Sequence, residues 1–340
     1  MKKRFFLFLL ISLLKARVSG QDIQYSQYYA NPIYLNPAAT GSTDRNRVGV
    51  NFRNQWPALD QTFVAYTAYF DLYSERFNSG FGVIIHGADE TFTQTSTKEI
   101  GLTYSYRLKL SEDNFIQAGF QGSFLARDAF FDRVILGTQL DINKGTIIGQ
   151  PGDAFEGDSQ LRAGDANAGL MYYGRRLWFG VSASHLVRPE ISYLVGGDNR
   201  LAMKKSIHGG YRFNLAPGRI NDYFNNTDQE RSLTVGFNYK EQGQFSQLDL
   251  GTEFYFEPLV LGIWYRGLPT KYGLPNYESI IALVGISLES GFDLGYSFDF
   301  PISKFGFGGT GGAHEISLRY VFSNQSSGKK YYAPLPSFRY

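Results

Sequence analysis

The 340-residue chain has no cysteine, three methionines, three tryptophans and four histidines. Without cysteine there are no disulfides, no thiolate metal sites and no cysteine nucleophile. His86, His185, His208 and His314 are scattered, with none of the spacings that gather metal ligands. An excess of one charge is also missing, since 33 Lys and Arg stand against 31 Asp and Glu. Five of those basic residues, Lys2, Lys3, Arg4, Lys15 and Arg17, fall in the first 20 positions, which hold no acid. Beyond them 28 basic residues face 31 acidic ones, so the net charge of +2 becomes −3 and nucleic acid is not an expected partner. Long apolar runs are absent as well. Mean hydropathy is −0.25, and the longest run after the N-terminus, 280–288, suits a strand but cannot span a bilayer as a helix.

What the chain does have is alternation. Ile100, Leu102, Tyr104, Tyr106, Leu108 and Leu110 are apolar, and Gly101, Thr103, Ser105, Arg107 and Lys109 between them are small or charged. A period of two held this long means a strand with one oily and one wet face. The pattern returns about fourteen times in stretches of roughly ten residues separated by turn residues, the signature of an outer-membrane barrel. With 24 tyrosines and 29 phenylalanines the chain can furnish two interfacial girdles, and 38 glycines can relieve crowding where tilted strands bend. The expected fold is all-β: a transmembrane antiparallel β-barrel of about 14 strands in the outer membrane of a Gram-negative bacterium, its outward face against lipid.

Residues 1–20 read as a secretory signal peptide, with a basic start, an apolar stretch over 5–14 and Val18-Ser19-Gly20 before Gln21. Residues 21–44 lack alternation and hold two Asn-Pro pairs, Asn31-Pro32 and Asn36-Pro37, so they read as an irregular periplasmic arm ahead of the barrel. The barrel is expected over 45–322, with strands starting near Arg47, Phe63, Phe81, Ile100, Phe115, Ala166, Leu177, Ser206, Leu233, Gln247, Leu259, Ile280, Phe292 and Glu315. Short periplasmic turns at 111–113, 174–176, 257–258 and 289–291 alternate with longer outer loops at 128–164, 189–203, 267–277 and 301–313. The stretch 216–230 is long yet falls on the periplasmic side, which makes it a candidate partner contact. Residues 323–340 read as a periplasmic tail.

Parity places Arg53, Glu99, Arg107, Lys109, Arg212, Asp249, Glu253, Arg266, Asp293, Asp299, Glu315 and Arg319 toward the lumen, because a charge on lipid costs about 2–4 kcal/mol near the midplane. Both signs occur in similar number, which points to a braced or plugged interior more than to an ion-selective open pore. Gly306-Phe307-Gly308-Gly309-Thr310-Gly311 matches a dinucleotide fingerprint, but another β-patterned segment follows it, so it reads as an outer loop. The acidic loop 128–165, with Asp132, Asp141, Asp153, Glu156 and Asp158, is a candidate contact for a partner. Asp141-Ile142-Asn143-Lys144-Gly145 is faintly like the start of an EF-hand, but its Gly comes one place early and no Glu stands at the twelfth position, so a solvated surface loop is the favoured reading and a calcium site the lesser one. No Ser/His/acid constellation emerges, so neither an enzyme nor a cofactor is expected.

Three separated motifs resemble the PorP/SprF family in the right order. They are Gln27-Tyr28 with Asn31-Pro32 and Asn36-Pro37-Ala38 through Gly41-Ser42, then Arg53, Gln55 and Trp56, and last His314-Glu315-Ile316-Ser317-Leu318, with Arg319 next on the lumen face. The resemblance runs from the mature N-terminus to Phe322. It departs in the tail, where Leu335-Pro336-Ser337-Phe338 stands without the family's cysteine, so a role for a tail thiol is not carried over. The resemblance implies a non-enzymatic outer-membrane component of the type IX secretion system. Such a protein supports secretion and surface anchoring of adhesins in gliding or surface-attached bacteria. Its implied partners are an exported substrate or that substrate's C-terminal domain, together with periplasmic ring and peptidoglycan-binding subunits. The alternative reading is a porin or hydrophobic-compound channel built on the same wall.

Overall fold

A computed structural model describes residues 22–59, 62–91, 93–130, 140–141, 146–147, 159–193, 199–215, 231–271, 274–303 and 306–322. Fourteen of its strands form one closed barrel. They are β1 (Asn46–Gln55), β2 (Phe63–Ser74), β3 (Ser79–Glu90), β4 (Thr95–Lys109), β5 (Phe115–Ala129), β6 (Gln160–Tyr173) and β7 (Leu177–Ser184), followed by β8 (Lys204–Asn214), β9 (Arg231–Gln242), β10 (Phe245–Phe256), β11 (Leu259–Lys271), β12 (Leu274–Ser287), β13 (Phe292–Pro301) and β14 (Ala313–Phe322). Each pairs antiparallel with its sequence neighbours, and β1 closes on β14 from Asn46↔Phe322 to Gln55↔Ala313. A ribbon of Leu140–Asp141 with Thr146–Ile147 lies apart from the wall.

The alternation decides the two faces. In β4, Glu99, Gly101, Thr103, Ser105 and Arg107 are buried toward the lumen, while Ile100, Leu102, Tyr104, Tyr106 and Leu108 stand exposed outside. The exposed side of the other strands is a band of Leu, Ile, Val, Phe and Tyr, including Phe52, Phe120, Phe124, Phe213 and Tyr320. Such a band is stable only against lipid. The charges assigned inward by parity are buried, with one correction. Lys109 is exposed, because it ends β4 where the wall gives way to a turn and parity no longer applies.

Five connections at one end are short, at 75–78, 110–114, 174–176, 257–258 and 288–291, a sixth, 215–230, is longer, and we call this the turn end. The other, the loop end, carries 56–62, 91–94, 130–159, 185–203 and 302–312. Several strands run further toward the loop end than their apolar alternation does. β4 begins at Thr95 and β6 at Gln160, where both faces are polar and periodicity leaves no trace. The loop expected at 267–277 is mostly strand, since β11 and β12 pair out to Lys271↔Leu274 across two register shifts. Residues Gly306–Thr310 form a short helical turn instead of an open loop. Residues 216–230 and 323–340, both expected to face partners, lie outside the described residues, as do Asp132, Asp153, Glu156 and Asp158.

The largest departure is the arm. Expected outside the barrel, it is folded inside, and Tyr25 through Ala30, Ile33 and Asn36 through Thr40 are buried in the lumen. The Asn-Pro pairs do make turns: Pro32 opens a one-turn helix, Pro32–Leu35, and Pro37 a 3-10 turn, Pro37–Ala39, capped when Asn36 Oδ1 accepts from the Ala38 N–H at 2.9 Å. Each turn satisfies part of its own backbone and offers the rest to polar wall residues. A mixed-polarity lumen therefore suits a segment that no lipid or apolar core would accept.

Candidate functional site

The arm crosses the whole lumen, starting at the loop end and joining β1 at the turn end. Asp22 is its first described residue, level with Lys204 and Gln242 at the loop-end termini of β8 and β9. The Asp22 carboxylate accepts from Lys204 Nζ at 2.6 Å and Gln242 Nε2 at 3.1 Å and pairs with His185 Nε2 at 2.8 Å. The Asp22 N–H donates to Gln242 Oε1 at 2.9 Å, and the second ring nitrogen of His185 faces Asp165. Burial alone would raise the Asp22 carboxyl, but the charges of His185 and Lys204 outweigh it and hold it well below the usual carboxylate range. Burial would likewise depress His185, yet Asp22 and the hydrogen bonds to Asp165 and Asp22 lift it to about 10.

These shifts set a pH window. A base whose pKa rises on docking stabilises fully below its ordinary value of 6.5 and loses that contribution as pH climbs through about 10. An acid whose pKa falls stabilises above its ordinary value of 3.8 and loses it as pH drops further. The clamp is thus tightest between about pH 4 and 6.5 and slackens toward alkaline pH. Hydrogen exchange at the 22–24 amides, corrected for intrinsic rate, is expected to lose protection steadily from about pH 6 to 10. A flat profile would show that this clamp does not hold the arm.

Deeper in, the arm binds a central charge network. Asp299 accepts from Arg53 Nη2 at 2.8 Å, Arg266 Nη1 at 3.0 Å and Ser26 Oγ at 2.7 Å. Glu315 accepts from the Ser26 and Gln27 N–H groups at 2.7 and 3.0 Å and pairs with Arg53 at 3.2 Å. Gln27 completes the join, donating to the Glu315 carbonyl and accepting from Ser317 Oγ. Tyr28 and Tyr29 pack on Trp264 of β11, with ring centroids 5.3 and 5.8 Å apart.

Further down, Asn36 Nδ2 donates to the Leu170 and Val181 carbonyls at 3.3 and 3.2 Å. Three wall glycines make room for this stretch. A Cβ on Gly169 would stand 1.9 Å from Asn36 Oδ1, one on Gly119 2.3 Å from the Ala38 N, and one on Gly80 2.2 Å from the Thr40 O. At the turn end the Gly41 N–H donates to Asp71 at 2.6 Å, Asp71 forms a two-bond pair with Arg47, and Asp44 pairs with Arg107.

Of the residues singled out in the sequence, Asn31, Pro32, Asn36 and Pro37 lie in the buried arm, and Arg53 and Glu315 meet it in the central network. Gln55 accepts from Arg53 at 3.2 Å. Trp56 sits at the loop-end rim with φ +62° and stacks edge-on against Phe63. Arg319 is apart from these, paired with Asp293 at 2.8 Å. Asp141 falls in the small ribbon. Asp22, Asp71, Asp165 and His185 were missed. Their partners are far away in sequence, and the only local hint was a lone acid in an otherwise uncharged stretch, 22–43.

Fold and site together define an outer-membrane β-barrel whose lumen holds its own N-terminal arm. Residues 18–320 match the family described as type IX secretion system membrane protein PorP/SprF. The chain belongs to that family, and it is a type IX secretion protein of the outer membrane. No curated protein matches it. Similar solved structures include a Pseudomonas aeruginosa FadL homologue, 13% identical over 84% of this chain and 92% of that one, with a TM-score of 0.43. Another is a TodX monoaromatic hydrocarbon channel mutant, 10% identical over 90% and 96% of the two chains, with a TM-score of 0.42. The outer membrane protein Omp33 of Acinetobacter baumannii is 8% identical over 82% and 100%, with a TM-score of 0.39.

Proposed function

We propose that this barrel is a non-enzymatic holder in type IX secretion, supporting the export and surface anchoring of particular adhesins instead of conducting solutes. The observation that carries the reading is the arm, which runs through the lumen from Asp22 toward the loop end to Asp44 at the turn end and is hydrogen-bonded along its length. A conduit needs a continuous wet path, whereas a holder needs a rigid wall and presented ends. In this reading the loop end faces outward. There the acidic 128–165 loop would meet an exported protein or its C-terminal domain. The turn end, with 216–230 and the 323–340 tail, would meet periplasmic ring and peptidoglycan-binding subunits.

Deleting the gene is expected to strip particular adhesins from the cell surface while small-solute uptake stays unchanged. Co-purification with mass spectrometry is expected to name both a secreted partner and a periplasmic one. Normal adhesin display in the deletion strain would overturn the proposal, and lost uptake with intact display would favour a channel.

A further inference from the structure

The connection from β7 to β8 turns inward at the loop end, and its described legs are 185–193 and 199–203. The legs pair as an antiparallel hairpin. The Ile191 N–H donates to the Asn199 carbonyl at 2.8 Å, the Leu201 N–H donates to the Pro189 carbonyl at 2.9 Å, and Glu190 bridges Arg200. Ile191 and Leu201 are buried against Leu125 of β5, with Leu161 of β6 packed alongside. This apolar contact seats the hairpin on the lumen side of the wall.

Both roots of the hairpin reach the same acid of the arm. At the first root His185 Nε2 pairs with Asp22 at 2.8 Å. At the second, Gln242 Nε2 donates to the Ala202 carbonyl at 3.2 Å and to Asp22 Oδ1 at 3.1 Å, while Lys204 Nζ donates to Asp22 at 2.6 Å. Between this polar knot and the apolar seat the packing is loose. A cavity of about 70 Å³ is lined by Ile191 and Leu201 from the hairpin and by Asp22, Ile23 and Tyr34 from the arm.

The first leg is also bent against its preference. His185 and Arg188 have φ of +59° and +54°, a left-handed backbone that is uncommon outside glycine. Local bonds hold the bends: the His185 N–H donates to Asn167 Oδ1 at 3.0 Å, the Leu186 N–H to the Ala166 carbonyl at 2.9 Å and the Arg188 N–H to the His185 carbonyl at 3.1 Å. Such strain lasts only while its surroundings enforce it, and here it falls on the residue that grips the arm.

We propose that this hairpin is a latch on the arm: its legs leave Leu125 and release Asp22 as one event, so whatever lifts the hairpin at the loop end frees the arm inside the lumen. Coupling of this kind is reciprocal, since the arm must steady the hairpin by the same factor as the hairpin steadies the arm. That a secretion partner does the lifting rests on the reading above. The coupling does not.

Hydrogen exchange of the full chain in lipid nanodiscs tests the latch in both directions. Leu201→Ser removes part of the apolar seat, and it is expected to lower protection at 22–24 by about 5- to 150-fold. Leu201→Met keeps the seat and is expected to leave that protection in place. Asp22→Asn is expected to lower protection at 190–191 and 199–201 by a factor similar to that of Leu201→Ser at the arm. Loss confined to the mutated element in either direction would overturn the latch. An equal loss in β2 and β13 would overturn it too, as a general loosening of the barrel. Adhesin display is not read in these measurements, so the latch and the secretion reading can fail separately.

Discussion

Removing residues 22–43 is expected to turn an electrically silent barrel into one with stable, salt-dependent openings. In the full chain the arm is held along the lumen by the Asp22 clamp, the Ser26–Gln27 join, the Tyr28/Tyr29–Trp264 stack and the Asn36–Ala39 turn. Without them the lining becomes a mixed-charge, glycine-indented surface with an apolar patch around Trp264, Trp178 and Tyr173 on part of the wall, and water is expected to pass beside that patch. Arg53, Arg266, Asp299 and Glu315 keep one another as partners across β1, β11, β13 and β14, so the wall itself retains its main ion pairs. Planar-bilayer recording of the purified full-length and shortened proteins checks this. A shortened barrel as silent as the full one would mean that something other than the arm closes the lumen.

The largest loss of stability from a single substitution is expected at Asp299. Asp299→Ala leaves two buried guanidiniums, Arg53 and Arg266, short of a shared carboxylate and takes an acceptor from Ser26. Breaking a buried pair in this way costs about 3–5 kcal/mol, because the surviving charges are left uncompensated. Arg162→Ala is the matched control. Arg162 and Asp128 pair at 2.7 Å, but their side chains are 40% and 27% exposed, and such a pair is worth about 0.2–1 kcal/mol. Urea unfolding in vesicles, or the temperature at which the folded band disappears in SDS gels, should rank the two clearly. Equal effects would mean that water reaches the central network and screens it.

The wall could be read from sequence wherever one face meets lipid and the other a polar lumen, as β4 demonstrates. Thr95 through Thr97 and the start of β6 could not be read, because beyond the membrane nothing forces polarity to alternate. The arm failed for a different reason. Its turns were legible at Pro32 and Pro37, but their location depends on contacts such as Asn36 with β6 and β7, more than a hundred residues later. The glycines offered a clue that pointed elsewhere. Gly80, Gly119 and Gly169 looked like relief for bending strands, yet each clears space for the arm. Parity placed Arg53 and Glu315 inward; it could not show that the same chain's own Ser26 and Gln27 amides would occupy Glu315.

The arm's direction has a mechanical consequence. Its described residues begin with Asp22 at the loop end, and its covalent joint, Asp44–Arg45 leading into β1, is at the turn end. A pull toward the loop end loads that joint and, through it, the ten-residue pairing of β1 with β14. Among the described residues a pull toward the turn end meets hydrogen bonds, ion pairs and packed rings, which can let go one after another from Asp22 downward. The stopper is therefore ratcheted. Force from one side seats it against its own first strand, and force from the other draws it out like a cord through a sleeve.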